Sequence, residues 1–182
     1  MQYRQFPKID KDISILGFGC MRLPQNSDDS KDIDIPQATA MVRQAIEQGV
    51  NYIDTAWGYH GGQSEPFLAQ ALSDGYRERV YLATKLPSWL IKTRQDMDYY
   101  LDEQLKRLNT DYIDFYMLHA LNRERWELYC KLDVFSYLDD IKASGKVGHI
   151  GFSFHDDPDT FRDIIDSYPW DFCQIQYNFL DT

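Results

Sequence analysis

Val50-Asn-Tyr-Ile-Asp54-Thr-Ala-Trp-Gly-Tyr59 is a short apolar run that ends on a carboxylate and opens into a glycine-containing loop carrying a phenol. It reads as a strand leaving a hydrophobic interior, with its acid at the last position. Two later runs end in a similar way: Val80-Tyr-Leu-Ala-Thr-Lys85 on an ammonium, and Ile113-Asp-Phe-Tyr-Met-Leu-His119 on an imidazole. A fourth, Val147-Gly-His-Ile-Gly-Phe152, is followed by Ser153. These strand ends, at 54, 85, 119 and 153, are spaced by 31, 34 and 34 residues, and helical patterns fill the intervals. Such βα repetition demands a parallel sheet with right-handed crossovers. The regular repeat length favours a (β/α)8 TIM barrel over an open doubly wound sheet, and no GxGxxG opens a helix. In a parallel barrel the C-terminal strand ends form one rim, where active sites lie. Asp54, Tyr59, Lys85 and His119 are therefore expected to converge.

Outward from this frame, Asp34 is placed to cap a helix with Pro36 in its first turn. Ala38, Met41, Val42, Ala45 and Ile46 follow at helical spacing, and Gly49 supplies the stop. Ser64-Glu65-Pro66 starts a second helix. Thr93-Arg-Gln-Asp96 has capping-box spacing before Met97, Tyr100, Leu101, Leu105 and Leu108. One long helix is expected over about 124–143, presenting Leu128, Leu132, Phe135, Leu138 and Ile141, and a short one opens at Pro158. Leu16-Gly-Phe-Gly-Cys20 reads as a strand whose glycines allow close backbone approach, and Phe172–Tyr177 as another. Residues 2–16 read as an N-terminal β-hairpin cap, with Tyr3–Phe6 against Ile13–Leu16.

The result is one domain over 1–182 with six barrel strands, whereas a complete barrel takes about 250 residues. Either the chain is a fragment of a longer protein, or it is an open partial barrel whose edges need another chain, as in a homo-oligomer. Exposed parallel edges are an aggregation liability and favour the fragment.

The net charge of −10 argues against nucleic acid or an anionic membrane as partner, since both need basic patches. An anionic cofactor is still allowed, because a helix terminus or a few cations can hold a phosphate. Cys20, Cys130 and Cys173 show no metal-ligand spacing, and no carboxylate cluster suggests a divalent metal. The odd cysteine count and the lack of a signal-peptide pattern or a long apolar run point to a cytoplasmic protein.

Taken singly, each candidate has a structural reading: an Asp capping a turn, a solvated Lys, a hydrogen-bonded His. Together they make chemical sense. A phenol, with a reference pKa of about 10, is a poor proton donor near neutrality. An adjacent ammonium favours the phenolate, making the phenol a competent general acid. The aspartate would hold the lysine charged and in place, and the histidine could orient a substrate oxygen. Such a set suits proton delivery to a carbonyl oxygen while hydride arrives at carbon. Trp57 and Trp89 either line an apolar substrate pocket or pack on their loops. Trp126 reads as helix packing, His60 and His155 as bystanders near the rim, and His149 as structural.

At six places the chain resembles the N-terminal two-thirds of the aldo-keto reductase family. Gly17-Phe-Gly-Cys-Met-Arg22 is similar to the first barrel strand and its cofactor-facing loop. Asp54–Tyr59 with Ser64-Glu65 is similar to the signature segment, Thr84-Lys85 to the lysine strand, and Asp111–His119 to the histidine strand. Gly145–Ser153 and Gln174-Ile-Gln-Tyr-Asn178 are similar to strands five and six. The resemblance implies NADP(H)-dependent reduction of an aldehyde or ketone, or the reverse oxidation of an alcohol. It makes Tyr59 the general acid, Lys85 and Asp54 its tuning partners, and His119 the orienting group. It implies cofactor contacts from Met21, Arg22, Asp54, Ser153 and Gln174, the last two holding the nicotinamide carboxamide. Phe154 stands where the family often has Asn. Strands seven and eight, which in the family carry most contacts to the pyrophosphate and adenosine phosphate, are absent, so this chain alone should bind NADPH poorly. The ending Asn178-Phe-Leu-Asp-Thr182 is similar to a branch with a C-terminal iron–sulfur extension. A cofactor-sensing regulatory subunit and an inactive truncated fragment are the alternatives to an enzyme.

Overall fold

A computed structural model describes residues 1–6, 10–178 and 180. The connection at Pro7–Ile9 and most of the Phe179–Thr182 ending, on which the iron–sulfur resemblance rests in part, lie outside the described residues. A hairpin, β1 (Tyr3–Phe6) and β2 (Lys11–Ser14), precedes the repeating part of the chain. That part runs β3 (Phe18–Gly19), α1 (Ile35–Glu47), β4 (Tyr52–Asp54), α2 (Ser64–Ala71), β5 (Tyr81–Leu86) and α3 (Arg94–Leu108). It continues through β6 (Ile113–Leu121), α4 (Arg123–Lys131), α5 (Val134–Ala143), β7 (Val147–Phe154), α6 (Pro158–Ile165) and β8 (Phe172–Ile175). Strands β3 to β8 lie in chain order in one sheet, each parallel to the next. This is the six-stranded parallel half-barrel expected from the strand spacing, with β3 and β8 as its edges among the described residues.

Local chemistry sets the helix ends. Asp34 accepts from Gln37 N at 3.0 Å. Thr93 and Asp96 form a full capping box, with Asp96 N donating to Thr93 Oγ1 at 3.3 Å and Thr93 N to Asp96 Oδ2 at 2.8 Å. Gly49 closes α1 with φ +95°, a conformation other residues adopt only under strain.

Three expectations need correcting. The helix expected over 124–143 is two helices, parted at Asp133 with φ +56°. The buried residues are Trp126, Tyr129, Val134, Tyr137, Leu138 and Ile141, whereas Leu128, Leu132 and Phe135 are only half-buried. A continuous helix would place Asp133, four residues after Tyr129 and four before Tyr137, on the buried face. The left-handed residue rephases the stripe and leaves Asp133 exposed. The second hairpin strand is Lys11–Ser14, not Ile13–Leu16. Asn51 fixes it there, accepting from Ser14 N at 2.8 Å, donating its own N–H to Ser14 Oγ at 3.1 Å and its amide to Asp12 O at 2.8 Å. Finally, β3 holds only Phe18 and Gly19. A Cβ on Gly17 would sit 3.1 Å from the Tyr52 ring, while one on Gly19 would meet nothing within 4 Å, so close approach applies to Gly17 alone.

Alternation along the strands positions the site. Ile53, Leu82, Leu86, Tyr116, Leu118, Ile150 and Phe152 belong to the layer packed with the helices. Ala83, Phe115 and Met117 fill the barrel interior with Ile13 of the hairpin, and Tyr52, Tyr81 and Phe172 pack against them. Two residues further along the same inward face come Asp54 after Tyr52, Lys85 after Ala83, His119 after Met117 and Gln174 after Phe172. The polar rim is the next pleat above an apolar plug.

Candidate active site

Lys85 is almost fully buried, at 2% exposure, yet its ammonium has a full set of acceptors. Nζ donates to both Asp54 carboxylate oxygens at 2.7 Å and to Thr55 O at 2.9 Å. It reaches the Tyr59 hydroxyl at 3.4 Å and lies 5.0 Å from the centre of that ring. Burial pushes the Asp54 carboxyl above its usual range, with the Lys85 charge pulling the other way. A cation and an anion so far from water persist only because each satisfies the other.

His119 completes the group. Its ring centre is 6.0 Å from that of Tyr59 and 5.1 Å from that of Trp89. Burial, then the positive charge of Lys85, then His155 and Arg125, depress its pKa to about 3, so the imidazole is neutral. Its Nδ1 is buried with no hydrogen-bond partner among the described residues. A register shift between Leu118 and Leu121 carries His119 and Ala120. Ala120 adopts φ +51°, a strained conformation for a residue with a Cβ. Two hydrogen bonds hold it: its N–H donates to Ser153 Oγ at 2.7 Å, and its carbonyl accepts from Arg125 Nη1 at 2.6 Å.

The residues expected to face a cofactor spread along the rim. Ser153 and Gln174 are register partners on β7 and β8. Ser153 is buried and Gln174 exposed. Met21 and Arg22 are exposed just past β3, while Asp54 is committed to Lys85. Phe154 belongs to the helix-packed layer against Phe161, with ring centres 5.3 Å apart, so it offers the rim no polar group. Trp89 lies beside His119 and across Gly58, where an added Cβ would meet its ring at 3.3 Å. Trp57 instead packs between Tyr100 and Arg107. Trp126 is buried against Phe135 and Trp170. His149 packs on Phe115 inside the barrel, and His155 is exposed.

Two features escape sequence reasoning. His60, read as a bystander, is buried with φ +53°. Its Nε2 accepts from Leu23 N at 3.0 Å and its Nδ1 donates to Ser30 O at 2.7 Å, tying the loop after β3 to the Tyr59 loop. Glu65 is fully buried and accepts at Oε1 from Thr84 Oγ1 at 2.7 Å and Gln104 Nε2 at 2.6 Å. Burial pushes its carboxyl up, while Gln104 and Arg107 pull it back. An acid, a Thr and a Gln at 65, 84 and 104 have no sequence spacing that would announce them. Only Gln104, a polar residue among the apolar positions of α3, hinted at a buried network.

A phenol, an ammonium, a carboxylate and an imidazole gathered at the C-terminal strand ends define the class: a partial parallel βα barrel with a polar rim site. The family model described as "Aldo/keto reductase family" matches residues 15–182, and the chain belongs to that family. It is 32% identical over 165 residues to a 6-dehydroglucose reductase of Novosphingobium aromaticivorans, covering 83% of this chain and 51% of that protein. The holo form of aldo-keto reductase AKR11C1 from Bacillus halodurans superposes with a TM-score of 0.79 at 27% identity, covering 97% of this chain and 58% of the other. An aldo/keto reductase from Klebsiella pneumoniae in complex with NADP and acetate gives 0.68 at 27% identity, covering 84% and 50%. The chain thus spans about half the length of the curated relatives it matches.

Proposed function

We propose that this chain carries the proton-transfer half of an NADP(H)-linked oxidoreductase acting on a small aldehyde or ketone, or on the corresponding alcohol in reverse. The observation that carries the reading is Lys85 Nζ, paired to Asp54 at 2.7 Å and reaching the Tyr59 hydroxyl at 3.4 Å. Because the ammonium is the donor in that contact, the Tyr59 proton is left for a substrate oxygen. As it leaves, the ammonium stabilises the charge developing on the phenolate. His119 is neutral. With Nδ1 buried away from any acceptor among the described residues, its proton belongs on Nε2, where the N–H can orient the carbonyl oxygen.

The residues present fit the nicotinamide end of the cofactor. Ser153 Oγ already accepts from Ala120, leaving its own proton to donate. Neighbouring Gln174 offers both an amide donor and an acceptor, the pairing a carboxamide needs. The relative solved with NADP supports the same cofactor. When bound, it supplies the hydride.

The test is NADPH oxidation with a panel of reactive aldehydes, run on the full-length protein and its Tyr59→Phe variant. Tyr59→Phe should lower kcat by about 10²–10⁴-fold, the usual worth of a positioned general acid, with a lesser effect on KM. Equal turnover in the two proteins would remove Tyr59 from the mechanism.

A further inference from the structure

Tyr59 is followed at once by three left-handed residues, His60, Gly61 and Gly62, at φ +53°, +57° and +93°. Tyr59–Gly62 is a kinked 3-10 turn, with Tyr59 N bonded to Ala56 O at its start and the Gln63 N–H to His60 O and Tyr59 O at its end. So contorted a segment holds its shape only if the surroundings over-determine it. Arg107, in the last turn of α3, is well placed to do so. Its guanidinium carbon lies 4.0 Å from the centre of the Trp57 ring. Its Nη2 donates to the Gly62 carbonyl, and its Nε lies 3.3 Å from Glu65 Oε2. These three points bracket Tyr59 on both sides.

The far end of the bridge reaches the lysine strand. Glu65 accepts from Thr84, the residue before Lys85. Gln104 donates to Glu65 at 2.6 Å and to the Lys85 carbonyl at 3.1 Å, and is itself held by the Tyr116 hydroxyl at 2.9 Å. The proton donor and its ammonium are therefore referenced to a common buried frame, in which Arg107 is the member that grips the loop.

We propose that Arg107 is a positioning residue for the Tyr59 loop, fixing through Trp57, Gly62 and Glu65 the distance between the Tyr59 hydroxyl and Lys85 Nζ. The proposal rests on the reading of Tyr59 as the proton donor. Arg107 touches none of the reacting atoms. A flat, five-donor guanidinium can stack on an indole while serving a carbonyl and a carboxylate, which a lysine cannot.

The experiment compares the unsubstituted full-length protein with Arg107→Lys and with the double variant Arg107→Met/Glu65→Gln. The first keeps a cation near Glu65, and the second strands no buried charge, so a folding failure in one does not end the test. Amide hydrogen exchange, read by mass spectrometry, should speed up at least about tenfold over residues 58–63 while α3 and β5 keep their rates. Carbonyl reduction should lose about tenfold in kcat with little change in KM, as expected for a misplaced acid. Unchanged exchange over 58–63, uniform acceleration along the whole chain, or local loosening at unaltered kcat would each overturn the proposal. If the unsubstituted full-length protein reduces no aldehyde, the functional reading fails separately. The exchange comparison still decides whether Arg107 holds the loop.

Discussion

Replacing Lys85 by Met tests the centre of the site as a physical object, independently of turnover. The two side chains are of similar length, so the change opens little cavity. What it removes is the only partner of both Asp54 oxygens among the described residues, each at 2.7 Å, in a residue only 8% exposed. Breaking a buried ion pair on one side costs about 3–5 kcal/mol, a large part of the roughly 5–15 kcal/mol that holds a typical domain. For a chain of this size that is a fall of about 6–20 °C in melting temperature. The assay is urea unfolding at pH 7 followed by tryptophan fluorescence, where an unchanged slope shows that the native state keeps its compactness. Burial already raises the Asp54 carboxyl with Lys85 present; without the ammonium it rises further. A carboxyl with a raised folded-state pKa takes up its proton in the folded state first. The penalty is therefore full at neutral pH and fades as the pH falls towards the unfolded value of about 3.9. Adding Asp54→Asn should recover much of the loss, because no charge is then stranded. A cost below about 1 kcal/mol at pH 7, or one undiminished at pH 4, would refute a buried pair whose members depend on each other.

Two further predictions follow from local chemistry. The His119 imidazole should show no titration by NMR between pH 5 and 8, because its pKa lies at about 3. Its contribution to stability is present above the unfolded value of about 6.5 and lost as the pH falls towards the folded one, so His119→Gln should flatten the acid limb of the stability curve. A transition near pH 6 would show that the ring is solvated. Thr93→Ala removes the side-chain half of the α3 capping box and should cost about 1 kcal/mol, about 2–4 °C in a thermal melt; no change would mean that α3 is held by packing alone.

The elements most legible in the sequence are those whose cause is local. Asp34, Thr93 and Gly49 mark helix ends because capping and left-handed stops depend on a few neighbouring residues. Period-two alternation puts Asp54, Lys85 and His119 on one face of their strands, and parallel βα order brings those faces to one rim. That these three groups meet was therefore readable before any coordinates, with Tyr59 on the loop that leaves the first of them. The sequence could not place what depends on contacts between distant segments. Asp133 breaks a helix that its own neighbours would have continued, because a straight one would have buried a carboxylate. Ala120 tolerates a left-handed backbone only because Ser153 and Arg125, from separate elements, bond its two peptide groups. His60, read as a bystander, and Glu65, read as part of a helix start, are both buried: one is joined to a loop 30 to 37 positions earlier, the other to residues 19 and 39 positions later. Pattern and propensity thus selected the chemistry at the rim, whereas the long-range hydrogen bonds that hold it at working distance belong to the tertiary structure, because burial is a property of the packed chain and of no single stretch of it.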